Sequence, residues 1–146
     1  GGRAMLTAAA EAAAQESDKA PKLVAVTTLT SLDQDDLTEL GIQRIIGDHT
    51  AALGRLAIDC GIDGLVCSPL EVANFRENLG DGPILVTPGI RPDGGDVGDQ
   101  KRVATPAMAV NGGSSFLVVG RPILEADDPA AAADEILTQM NSAYTS

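Results

Sequence analysis

Arg121 is the residue of this chain whose type and position speak most directly of chemistry. It follows Gly120 at the end of the apolar run "SFLVVG" (115–120). A glycine closing a buried strand lets the backbone approach a ligand, and its neighbouring amide can donate a hydrogen bond. The guanidinium beside it offers a bidentate fork matched to phosphate. Pairing of Arg121 with a surface carboxylate is the competing reading. A second candidate group lies in "LVTPGIRPDGGDVGDQKRVATP" (85–106), which begins as a buried strand and ends as a helix entrance. Arg91 and Gln100 are planar hydrogen-bonding groups at the two ends of its loop, and Gly94, Gly95 and Gly98 lie between them. Loops this long inside compact domains tend to bind or cover ligands. Folded over a phosphate, this one brings Arg91 and Gln100 to the oxygens that Arg121 holds. Asp93, Asp96 and Asp99 keep open the alternative of a flexible acidic surface loop.

The elements that must position these groups are four apolar runs: "KLVAVTT" (22–28), "GLVC" (64–67), "PILVT" (83–87) and "SFLVVG" (115–120). They are continuous rather than alternating, the pattern of parallel strands buried on both faces. Helical stretches separate them: "AMLTAAAEAAAQES", "DQDDLTELG", "DHTAALGRLAIDCG" and, at the end, "PAAAADEILTQM". Ser68-Pro69-Leu70-Glu71 reads as an N-cap, a helix-start proline and a capping-box Glu. Thr105-Pro106 and Asp128-Pro129 repeat the cap-then-proline device, while Gly41, Gly61, Gly80 and Gly112 read as helix stops. Alternation of this kind implies α/β architecture with a parallel sheet and right-handed crossovers. Periodicity alone allows a doubly wound open sheet or part of a (β/α)8 barrel, and in both the ligand sits at the carboxyl ends of the strands. Those ends carry Thr27, Thr28, Thr30 and Ser31; Ser68; Thr87, Pro88 and Arg91; and Gly120 with Arg121.

Bulk composition narrows the classes. With 146 residues the chain is one domain, and apolar residues at 44% with aromatics at 2% demand an aliphatic core. A formal charge of −11, with no basic run, argues against nucleic acid and anionic membrane as partners. A small phosphate ester remains compatible wherever arginines converge. Cys60 and Cys67 form no Cys-x-x-Cys motif and read as buried, reduced thiols, which fits a cytoplasmic protein. His49, the single histidine, reads as a solvated helix-start residue, so no metal site is expected. The carboxylates at 33–36 and 125–128 read as helix-start charge. No run is apolar enough to span a membrane, and "GGRAML" does not read as a signal peptide.

Taken together and in order, "AVTTLTS", "GLVCSPLE", "LVTPGIRP", "GDQKR" and "VVGRPI" resemble orotidine 5'-phosphate decarboxylase of the bacterial type, across essentially the whole chain. The resemblance implies a homodimeric (β/α)8 barrel that converts orotidine monophosphate to UMP and CO2, in pyrimidine biosynthesis, without a cofactor. It further implies that Arg121 and the Gly120 amide anchor the phosphate, and that Gln100 and Arg91 grip it from the closing loop. Ser68 matches the serine that meets the pyrimidine, Thr30 a ligand-contacting threonine, and Pro88 a residue lining the base pocket.

The family's catalytic Asp-x-Lys-x-x-Asp signature is absent from these 146 residues, whose lysines are Lys19, Lys22 and Lys101. Asp99-Gln100-Lys101 begins the pattern, but position 104 is Ala. The ammonium that protonates the developing carbanion, and the carboxylates that position it, are therefore missing from this stretch. The expected fold is the C-terminal half of a (β/α)8 TIM barrel, residues 1–146 forming one unit that resembles strands 5–8 with the preceding helix. Its function is then a portion of the decarboxylase that carries phosphate- and base-binding residues and no catalytic ones. A non-catalytic phosphate-binding or self-assembling half barrel is the alternative, and a sibling sugar-phosphate decarboxylase a third reading, against which the "TPGIRP…GDQ" loop argues. Two open sheet edges and one apolar face predict association, with a complementary N-terminal half or with a second copy.

Overall fold

The computed structural model describes residues 1–16, 20–92 and 101–143. Four strands form one parallel sheet in sequential order: β1 (Val24–Val26), β2 (Gly64–Val66), β3 (Ile84–Thr87) and β4 (Phe116–Leu117). The register aligns Val26 with Val66, Val66 with Val86, and Val86 with Phe116. Among the described residues seven helices accompany them: α1 (Arg3–Ala14), α2 (Gln34–Glu39), α3 (Ile46–Asp59), α4 (Val72–Leu79), α5 (Pro106–Asn111), α6 (Arg121–Leu124) and α7 (Pro129–Ser142), with a 3-10 turn at Pro69–Glu71. Sequential, all-parallel order with helical crossovers is barrel topology rather than doubly wound topology, whose strand order reverses at a switch point.

The strands are shorter than the apolar runs that predict them: β1 pairs over three residues and β4 over two. Ladder bonds continue beyond them: the Gly64 amide reaches the Leu23 carbonyl at 3.1 Å, Thr27 reaches Val66 at 3.0 Å, and Val118 reaches Thr87 at 2.9 Å. Helix starts follow the sequence chemistry. Asp128 caps α7 through the amides of Ala130 and Ala131, and Thr105 accepts from Met108 at the start of α5. Gly41, Gly61 and Gly80 close α2, α3 and α4 with positive φ, where a Cβ would be strained. α3 begins at Ile46, so His49 lies inside its first turn.

The core fills the space between the sheet and α1, α3 and α4. Leu65 and Leu85 on adjacent strands, Val72 and Phe75 on α4, and Ala57 on α3 exclude water almost completely. Fully burying a side chain of the Val/Leu/Phe class contributes about 1.5–3 kcal/mol. The other row of the sheet is the open apolar face expected of half a barrel. Among the described residues Val24, Val26, Phe116 and Val118 stay 42–62% exposed. In a (β/α)8 barrel that row points into the closed interior, which a packed core of side chains fills.

Candidate functional site

Because all four strands run the same way, the residues that follow them emerge at one edge of the sheet. After β1 comes Thr30, buried, whose carbonyl accepts the Lys101 amide at 3.1 Å. After β2 comes Ser68, with no exposed surface, held by a reciprocal cap. Its amide donates to Glu71 Oε2 at 2.9 Å, and its Oγ accepts from the Leu70 amide at 3.3 Å. The same hydroxyl donates to the Arg102 carbonyl at 3.4 Å. After β3 come Pro88, half-buried, then Gly89 at φ 79°, and buried Arg91. One Arg91 terminal nitrogen donates to its own neighbour's carbonyl, that of Ile90, at 2.8 Å. After β4, Gly120 is the N-cap of α6 and exposed Arg121 is its first residue. A Cβ built on Gly120 meets no atom within 4 Å, so the space beside it is open.

Residues 101–104 gather three of these strand ends. Ala104 bridges to Ile90, with the Arg91 amide on the Ala104 carbonyl at 3.0 Å and the Ala104 amide on the Gly89 carbonyl at 3.2 Å. Lys101 and Arg102 complete the tie to Thr30 and Ser68. Gln100, with Asp93, Gly94, Gly95, Asp96, Gly98 and Asp99, lies outside the described residues.

Arg102 is the residue that sequence reasoning passed over. It is buried, pairs through Nη1 with Glu71, and donates from Nη2 to the carbonyls of Thr28 at 2.9 Å and Leu29 at 2.8 Å. Desolvation pulls its pKa below the ordinary arginine value. A signal for it existed. The Ser68-x-x-Glu71 box puts a carboxylate at a strand end, and a carboxylate buried there needs a cation. Lys101 differs in kind: it is half-exposed and lies 2.8 Å from both Asp33 and Asp36. The carboxylates at 33–36 are thus the capping box of α2 and also the seat of this lysine.

Cys67 is buried, and desolvation pushes its thiol pKa up to about 12. An apolar cavity of about 370 Å³ opens between α1, the free side of β1 and α3, lined by Met5, Leu6, Val24, Val26 and Leu53 among others. Among the described residues no three His, Cys, Asp or Glu side chains group as a metal site, and no helix is long and apolar enough to cross a membrane.

Known proteins share this fold and much of this sequence. Residues 1–136 match the model of the orotidine 5'-phosphate decarboxylase / HUMPS family. The chain belongs to that family. The orotidine 5'-phosphate decarboxylase of Pseudoalteromonas translucida is 49% identical over 131 residues, 90% of this chain and 56% of that protein. That of Rhodopseudomonas palustris is 52% identical over 124 residues, covering 85% of this chain and 53% of the relative. The chain thus spans little more than half the length of these decarboxylases. The crystal structure of the Lactobacillus acidophilus enzyme superposes with a TM-score of 0.78 at 40% identity, over 96% of this chain and 59% of that one. An orotidine 5'-phosphate decarboxylase structure from Pyrococcus horikoshii, at 21% identity and a TM-score of 0.59, shares the fold. The four strands and their helices are therefore part of a decarboxylase-family TIM barrel.

Proposed function

We propose that this chain is the phosphate- and base-binding portion of an orotidine 5'-phosphate decarboxylase, which converts orotidine monophosphate to UMP and CO2 in the cytoplasm. Delivery of Thr30, Ser68, Pro88, Arg91 and the Gly120-Arg121 pair to one sheet edge carries this reading, in a chain about half identical to decarboxylases. Gly120 and Arg121 hold the phosphate, Arg91 and Gln100 close on it, and Thr30, Ser68 and Pro88 meet the nucleoside. The carbanion-protonating Lys and its carboxylate partners belong to the Asp-x-Lys-x-x-Asp segment, which this sequence does not contain. Calorimetric titration with UMP tests the binding role. Mixing with the N-terminal half of a relative and following orotidine monophosphate loss tests the catalytic one. Saturable UMP binding and decarboxylation only in the mixture are expected; no binding with or without that half rejects the reading.

Association belongs to the same proposal. The free side of β1 adjoins the apolar cavity, and Val26 and Phe116 are each more than half exposed on the open face. An unpaired edge beside apolar surface favours a complementary half barrel or a second copy. That surface also supports the second reading, a self-assembling, non-catalytic phosphate binder. Its signature is a stable homodimer that binds UMP and regains no activity when the missing half is supplied.

A further inference from the structure

We propose that Arg102 is a positioning residue, whose guanidinium sets the separation between the β1 strand end at Thr28–Thr30 and the Ser68 turn after β2. This rests on the reading of Thr30 and Ser68 as ligand-facing. Arg102 is only 8% exposed and its terminal nitrogens are directed at protein groups, so it acts through its neighbours.

One planar head spans the gap. Nη2 holds the carbonyls of Thr28 and Leu29 at 2.9 and 2.8 Å, while Nη1 pairs with one oxygen of Glu71. The other Glu71 oxygen takes the Ser68 amide at 2.9 Å, so the guanidinium fixes the Ser68 backbone through a single intermediary. The main chain repeats the bridge: the Lys101 amide donates to the Thr30 carbonyl at 3.1 Å, and the Arg102 carbonyl accepts from Ser68 Oγ at 3.4 Å. Among the described residues, buried Nε has no partner, so the terminal nitrogens alone orient the head.

An ammonium cannot replace this fork, because a compact point charge does not face a carboxylate and two carbonyls in fixed directions. Buried ion pairs add little net stability against apolar residues of similar size, and in some proteins they fix an arrangement that apolar residues leave loose. Stability and positioning therefore separate experimentally.

The test compares the chain with R102K and with E71M/R102M, in which an apolar pair replaces the ion pair. Three quantities are read: the thermal midpoint, amide hydrogen exchange over 27–31 and 67–71, and UMP affinity. Exchange is expected to rise in both segments together, and UMP affinity to fall about tenfold or more through misplacement of Thr30 and Ser68. The apolar pair is expected to keep the thermal midpoint. Wild-type exchange in both segments of either folded variant overturns the proposal, as does wild-type UMP affinity in E71M/R102M. If E71M/R102M does not fold, exchange in R102K decides alone. If the wild-type chain binds no UMP with or without the N-terminal half of a relative, the proposed function is rejected, while exchange still decides the role of Arg102.

Discussion

The Lys101 ammonium lies 2.8 Å from a carboxylate oxygen of Asp33 and 2.8 Å from one of Asp36, so the capping box of α2 also holds the segment that gathers the strand ends. The hydrogen bond from Lys101 is the main cause holding the Asp33 carboxyl down at about 2, followed by the bond from the Asp36 amide. A carboxyl whose pKa is lower in the folded state stabilises the fold above its unfolded value. Asp33 therefore contributes fully above pH 3.8, and the contribution is lost as pH falls toward 2. Lys101→Met is expected to raise the Asp33 pKa toward 3.8 and to shift the acid limb of stability upward. Carboxyl carbon NMR titration of Asp33 checks it; an unmoved midpoint refutes the assignment to Lys101.

Cys67 gives the opposite limb. Burial pushes its thiol to about 12 from an ordinary 9.0, and only 1% of the residue meets solvent. Here the folded pKa is raised, so the contribution to stability is present below pH 9.0 and is lost as pH rises toward 12. At pH 8 iodoacetamide is expected to leave Cys67 unmodified in the folded chain and to label it once denatured. Peptide mass mapping reads this directly, and rapid labelling of native Cys67 contradicts it.

Gly54, inside α3, is where helix propensity and packing oppose each other. A Cβ there runs into the Phe75 ring and comes within 2.9 Å of Leu65 Cδ1. Removing a helix-interior glycine gains about 0.5–1 kcal/mol, whereas overpacking a filled core costs about 1–3 kcal/mol. Gly54→Ala is therefore expected to lower stability by up to about 2.5 kcal/mol, the difference between those two effects. Urea denaturation measures it, and a stabilised variant would show that Phe75 yields freely.

What the sequence could and could not disclose follows from the range of each interaction. Parallel strands, helix caps and glycine stops depend on neighbours in the chain, so Ser68-Pro69-Leu70-Glu71 announced its reciprocal cap without tertiary information. Arg102 was announced only indirectly, by the Glu71 carboxylate that needs a cation. Its partners Thr28 and Leu29 lie 74 and 73 residues away, and no local pattern distinguishes a buried guanidinium from a surface one. Lys101 was legible only as the start of a broken Asp-x-Lys pattern, since its carboxylates lie on α2. The open apolar face was legible once the chain read as half a barrel. Continuous apolar runs report what a strand needs, and among the described residues helices cover only the row containing Leu65 and Leu85.

Arg121 carries the sharpest prediction for binding. It opens α6 directly after Gly120, exposed, at the carboxyl edge of β4, where the open space beside Gly120 leaves room for a ligand to approach the backbone. Hydrogen bonds to a charged partner contribute about 1.5–3 kcal/mol. Arg121→Ala is accordingly expected to weaken UMP binding by about 1.5–3 kcal/mol, with uridine binding nearly unaffected because the nucleoside lacks the phosphate. Arg91→Ala separates a gripping role from an anchoring one. Its guanidinium already contacts the Ile90 carbonyl at 2.8 Å, so part of its loss falls on local structure as well as on affinity. Parallel titrations of both variants with UMP and uridine decide the matter. Equal losses for the two ligands in Arg121→Ala would move the phosphate away from Gly120-Arg121 and with it the basis of the proposed function.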